Sequence, residues 1–303
     1  MRTTTSIVGA LLLLLGSALT THAQLVVKQP DLATGSQLIF YYDAREGFTT
    51  FVNIQNRSAD PVSFLFEVWG PSFESEIAFV VTLAGGGVRV FDIGSLKVTD
   101  GMPAQQGIAV ASVLNGPNTP LRTSTRALQG NFTVANLATA SAWGSPAIGR
   151  GARAASGASV PDGTIVDGVT AVYQTIQPDA VALATYYNPQ TLAPVEDHGN
   201  QLLFVNFKDI PSNNPCCPTL TSASTNWLFF VRRGADGTAT SAQVDVTGVA
   251  ERDVVSLLGA EANGAPGGGG FVRGAGTENA NRFIFFVQSL GTFGTGYLLP
   301  SLN

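Results

Sequence analysis

Histidine is nearly missing from this 303-residue chain, with only His22 and His198 present. His22 falls in an N-terminal leader, which leaves His198 alone and excludes a histidine-rich metal site. Neither Cys-x-x-Cys nor His-Glu-x-x-His occurs, so the usual zinc spacings are absent. Gly-x-Ser-x-Gly, Ser-x-x-Lys and a phosphate-cradling Gly-x-x-x-x-Gly-Lys are missing as well. Charge is scarce, at 12% of residues, roughly half the usual share. The formal net charge of −5 is spread without runs, which leaves no footprint for nucleic acid or an anionic membrane. No cofactor is expected.

Long apolar runs are lacking too, apart from one at the start. Arg2 precedes an apolar stretch from Ile7 to Leu19, and small and polar residues then lead to Thr21-His22-Ala23. That is the layout of a signal peptide over 1–23, with a mature chain expected from Gln24. The run of about 13 residues is shorter than the roughly 20 that span a bilayer. The expectation is export to the periplasm, the cell surface or the medium, with no transmembrane segment after cleavage.

What the chain does have is short, β-prone apolar runs and many turn formers, including 34 glycines and 16 prolines. In "PVSFLFEVW", Val62, Phe64, Phe66 and Val68 alternate with Ser63, Leu65 and Glu67, a period of two. "TTFVNIQN" alternates likewise, and with "NRSADP" between them 49–69 reads as a hairpin. Further strands are expected at 77–83, 88–93, 108–114, 131–136, 169–176 and 181–187. "QLLFVNF", "NWLFFVRR", "AQVDVTGV" and "RFIFFVQS" add others. A short helix is expected only in "ERDVVSLLGAEANG" (251–264). The class is therefore all-β, as tandem immunoglobulin-like sandwiches or one sandwich with a larger β-domain. A small-residue stretch, 141–163, reads as a surface loop or linker. It suggests a β-sandwich domain at 24–145, a loop or linker at 146–160, and a second β-rich domain at 161–303.

"LIFYYDAREGFTTFVNIQN", "VTLAGGGVRVFDIGSL" and "GNFTVANLATASAWG" together resemble a set of bacterial exported proteins of uncharacterised role with immunoglobulin-like β-sandwich domains. The residues that carry the resemblance are Tyr42, Asp43, Arg45, Asn53, Asn56, Leu83, Gly85, Gly86 and Asp92, within 38–150. The resemblance implies a fold and a compartment, and no catalytic residues.

Candidate sites are few. Glu196, Asp197 and His198 in "APVEDHGNQ" could supply an acid, a base or ion ligands, or form a solvated turn. Glu67, Glu74, Glu76 and Asp245 are the candidates for a paired-carboxylate glycoside hydrolase. Of these, Glu67 and Asp245 face away from the apolar sets of their strands, which reads as surface. Asp162, Asp167 and Asp236 lie in Asp-Gly-type loops that fit either turns or oxygen ligation of calcium. Tyr41, Tyr42, Tyr186, Tyr187, Trp69, Trp143 and Trp227 fit either a carbohydrate-binding face or a sandwich core. Among them Trp143, in "SAWGSP", is the best candidate for a ligand contact. Two sequons, Asn56-Arg-Ser58 and Asn131-Phe-Thr133, are incidental in a bacterial host.

The only cysteines, Cys216 and Cys217, are neighbours between two prolines. An oxidising compartment favours a disulfide. Adjacent Cα atoms are about 3.8 Å apart, below the usual range of roughly 4.4–6.8 Å, so a Cys216–Cys217 bond closes a tight ring. Such a bond restricts the unfolded chain very little. The pair forms a local knuckle, bridges chains, or stays reduced. The expected function is that of an exported non-enzymatic protein, structural or adhesive, whose partners are its own copies or a cell-surface polymer. A carbohydrate-binding module and a secreted hydrolase are the alternatives.

Overall fold

A computed structural model of the chain describes residues 34–114, 122–123, 127–154, 165–166, 171–173, 180–183, 200–210, 219–232, 239–253, 257, 269–276, 280–290 and 293–298. The first stretch holds β1 (Thr34–Gly35), β2 (Gln37–Asp43), β3 (Phe48–Asn56), β4 (Val62–Trp69), β5 (Ser75–Leu83), β6 (Val88–Asp92), the helix α1 (Ile93–Thr99) and β7 (Gln106–Val113). Then come β8 (Arg122–Thr123), β9 (Leu128–Asn136), β10 (Ser141–Pro146), β11 (Ile148–Arg150), β12 (Ala152–Ala154), β13 (Ile165–Val166), β14 (Ala171–Tyr173) and β15 (Ala180–Leu183). The last group is β16 (Asn200–Ile210), β17 (Thr219–Ser222), β18 (Ser224–Arg232), β19 (Ala239–Asp253), β20 (Gly269–Gly276), β21 (Asn281–Leu290) and β22 (Phe293–Leu298). The fold is all-β, as the strand periodicity implies, and it is built of stacked sandwiches.

Two five-stranded antiparallel sheets make the first sandwich. One has the order β1-β9-β3-β6, with β10 also on β9; the other is β11-β2-β7-β4-β5. Phe64, Phe66 and Val68 of β4 point into the space between them, where Phe66 stacks on Phe91 of β6 with ring centroids 4.2 Å apart. The expected hairpin over 49–69 does not form: β3 pairs with β6 and β9, and β4 pairs with β5 and β7. Both strands have an apolar face, and the turn swings them to opposite sheets so that those faces meet. Asn56 holds this arch. Its Nδ2 donates to the carbonyls of Asp60, Leu83 and Ala84, and its Oδ1 accepts from Ser58 N and Oγ.

The stretch from 141, expected as loop or linker, is strand in β10, β11 and β12. Small residues here allow the chain to leave the first sheet at Pro146 and enter the second at Ile148. Just beside that crossing, β1 and β2 switch sheets in the same way, and Ser36 N donates to Arg150 O at 3.0 Å. Residues 155–164 lie outside the described residues.

The remaining large sheet has eight strands, in the order β15-β20-β18-β19-β16-β21-β22 with β17 on β16. It folds over on itself along β19, whose residues up to Thr247 pair with β18 while those from Gly248 pair with β16. Gly248 has φ +69°, and a Cβ there would come within 2.4 Å of Pro71 O. Only glycine accepts both conditions. Between the two halves lies a second core of Leu202, Phe204, Trp227, Phe229, Val246, Val272, Ile284 and Phe286. The expected helix at 251–264 begins instead as strand, since Glu251–Asp253 end β19; Leu257 alone is described as helical beyond it.

The odd-numbered side chains of β16 and β21 face the other way, onto the first sandwich. Leu203, Val205, Phe207, Phe283 and Phe285 join the same apolar cluster as Ile39, Tyr41 and Val110. Phe73 packs on Phe207 at 5.3 Å and Phe132 on Phe285 at 5.5 Å. Backbone and side chains reinforce the contact, through Val249 N to Pro71 O at 3.0 Å and Ser222 Oγ to Ser72 O at 2.9 Å. Apolar burial is thus continuous from the first sheet to the third.

Candidate functional site

The densest group of ionisable side chains inside the first sandwich surrounds Glu76, on β5 beneath α1. Lys97 of α1 places Nζ 2.5 Å from Glu76 Oε2, and the two side chains are only 2% and 4% exposed. Tyr42 OH donates to the same oxygen at 3.2 Å, and Gln105 Nε2 donates to Oε1 at 2.5 Å. The Lys97 ammonium also lies over the Tyr42 ring, 5.1 Å from its centroid. Burial first, and then the charge of Glu76, push the Tyr42 hydroxyl far above its ordinary pKa, so it remains a donor.

The helix that delivers Lys97 is set by Asp92. Its carboxylate accepts from Ser95 N at 3.2 Å, Ser95 Oγ at 2.8 Å and Thr49 Oγ1 at 2.5 Å, an N-cap that satisfies the first helical donors. Burial alone would raise the Asp92 pKa; the hydrogen bonds from Thr49, Ser95 and Gly94 outweigh it and hold it below the usual value. The strand expected at 88–93 ends at Asp92, and the helix that follows it is not expected from the sequence. The available signal is an N-cap residue, Asp92, directly before apolar Ile93 and Leu96.

Of the four candidate carboxylates, the structure brings two together. Gln105 Nε2 spans Glu76 Oε1 and, at 3.4 Å, Glu74 Oε1. Both oxygens of Glu76 are occupied by protein donors, so it holds α1 against the sheet. Asp245 is exposed and accepts from Asn226 Nδ2 at 2.6 Å.

Glu67 departs from expectation. Its alternation with Phe66 and Val68 implies a surface residue, yet it is 5% exposed. The face it occupies is covered too, since this sheet is a middle layer. Glu67 makes no hydrogen bond or ion pair among the described residues, and burial pushes its pKa up to about 7.

Trp143 lies in β10, opposite Val134 of β9. It is half-buried, stacked on Tyr41 at 5.8 Å, edge-on to Phe132 at 5.5 Å, and 6.4 Å from Phe285. Tyr41, Tyr42, Trp69 and Trp227 are buried. Cys216, Cys217, Glu196, Asp197, His198, Asp162, Asp167, Asp236, Tyr186 and Tyr187 lie outside the described residues. Among the described residues no group of three or more His, Cys, Asp or Glu could hold a metal ion, and no helix is long and apolar enough to cross a membrane.

Two further ion pairs join the first sandwich to the third sheet. Arg45 clasps Asp43 through Nε and Nη2, at 3.0 and 2.6 Å, and reaches Glu251 Oε2 at 2.8 Å. Arg150, fully buried, binds both oxygens of Asp209, and Asn281 Nδ2 donates to Asp209 Oδ2 at 3.3 Å. Neither Arg150 nor Asp209 is marked in the sequence, because their meeting depends on how two distant segments stack. The Tyr42-Asp43-x-Arg45 run thus serves two places at once, with Tyr42 on the Glu76 cluster and Arg45 on Glu251. No protein-family model matches the chain, and no curated protein matches it.

Proposed function

We propose that this chain is an exported, non-enzymatic bacterial protein with a structural or adhesive role at the cell surface or in the periplasm. One observation carries the reading: apart from Glu67, the buried carboxylates among the described residues are turned toward cations and amides of the protein itself. Glu76 is occupied by Lys97, Tyr42 and Gln105, Asp43 by Arg45, and Asp209 by Arg150 and Asn281. These groups tie layers together instead of facing a cleft. The leader-like N-terminus supports export, and the layered all-β architecture suits a protein that displays surface. The chain's repeated crossing between the first two sheets supports an immunoglobulin-like description of that sandwich, in line with the sequence resemblance.

The test is done in the bacterium that encodes the chain. Fractionation and protease accessibility of intact cells should place it outside the cytoplasm, and deletion should change adhesion or envelope integrity. A cytoplasmic protein, or a deletion without either effect, would overturn the proposal.

A further inference from the structure

Among the described residues, the first sandwich protects all its sheet edges but one. At one side β1, β10 and β11 close the corner by switching sheets, and β6 is a short edge of five residues carrying Arg89 and Asp92. Edge strands left bare are normally guarded by charge, proline, bulges or brevity, because their free N–H and C=O groups invite another strand. β5 has none of these guards over most of its length. It runs nine residues, and from Ile77 to Leu83 it carries neither charge nor proline. Its one register shift lies at the start, opposite Val68 and Trp69.

Among the described residues β5 pairs only with β4. Along its outer edge the one further backbone bond among the described residues is from Asn56 Nδ2 to the Leu83 carbonyl. Val80 is 48% exposed on one face, and on the other Phe79 and Val81 are only partly covered where they meet the core.

We infer that β5 is an assembly edge, and that its partner is β5 of a second copy of this chain. Antiparallel pairing about a two-fold axis at Phe79 sets Phe79 against Phe79, Ile77 against Val81, and Ala78 against Val80. The single charge, Glu76, falls opposite Thr82 and is already neutralised by Lys97 within its own copy. No like charges meet, and the two second sheets become one sheet of ten strands whose added side chains cover Phe79 and Val81. Isologous pairing of this kind closes on itself as a dimer. A single strand edge makes up the contact, so the dimer should be in concentration-dependent exchange with the monomer.

This inference deepens the surface-protein reading, on which it rests for its purpose, and names the partner. The test uses the mature chain with its thiols alkylated, so that cysteine bridges cannot contribute. Sedimentation equilibrium should show a monomer–dimer exchange. Val80→Lys should weaken it at least tenfold, whereas Val90→Lys on β6 should leave it unchanged. In the unsubstituted protein, amides of 75–83 should gain hydrogen-exchange protection as concentration rises, a readout that does not depend on how the variants fold. A monomer at every concentration, or a dimer without added protection in 75–83, would overturn the inference. A deletion that changes neither adhesion nor envelope integrity, with the dimer intact, would sink the functional reading and leave the edge standing.

Discussion

Replacing Glu67 with glutamine should change how stability depends on pH. The side chain is 5% exposed and makes no ion pair among the described residues, and its pKa moves from 4.5 to about 7 on burial. Folding therefore favours the protonated carboxyl. Below the unfolded pKa of 4.5 the group costs nothing as an ion, and stability falls as pH rises from there through about 7. Each pKa unit corresponds to about 1.4 kcal/mol, so the loss is about 1 kcal/mol at pH 5 and about 3 kcal/mol at pH 8. Glutamine fills the same space and does not titrate. Urea unfolding of both proteins at several pH values from 5 to 8 isolates the effect, because all other groups are shared. Glu67→Gln should gain about 2 kcal/mol on the parent protein across that range. Parallel profiles would refute the argument, showing that Glu67 is solvated or paired.

Two further substitutions probe the architecture. Lys97→Ala leaves Glu76 as a buried charge without its cation, and should destabilise by about 3–5 kcal/mol in urea unfolding. Adding Glu76→Gln should recover part of that loss. Gly248→Ala forces a side chain into a left-handed position against Pro71 O, and should cost at least about 1–2 kcal/mol. Because Gly248 lies where β19 passes from one half of its sheet to the other, tryptophan fluorescence should report the same transition as far-UV circular dichroism.

Most strands were legible because alternation is a local property. "PVSFLFEVW" declares its period in a few residues, "QLLFVNF" is a short unbroken apolar run because both its faces are covered, and β4 and β16 lie where they were expected. Partnership is not local. The arch between β3 and β4 uses the same turn residues as a hairpin, and only the rest of the sandwich decides between them. Burial of Glu67 was hidden for the same reason: alternation assigns a side chain to a face and is silent on whether another sheet covers it. Lys97 and Glu76 meet across two strands and a helix, and Arg150 finds Asp209 only after the layers stack. Trp143 lies in a strand that the sequence does not announce, because "SAWGSP" lacks β-branched residues and takes its conformation from pairing with β9.

Asn56 carries a sequon, yet every polar atom of its amide is engaged within the arch, and the residue is fully buried. Asn131, the second sequon, is exposed on β9. Oligosaccharide transfer in a eukaryotic secretory pathway acts on chains still emerging from the ribosome. A sugar attached to Asn56 at that moment would occupy the atoms that fasten the arch, and the first sandwich would be unable to close. The two sequons are therefore opposites for anyone producing this protein: Asn131 can carry a glycan outside the finished fold, while Asn56 can carry one only at the expense of the fold.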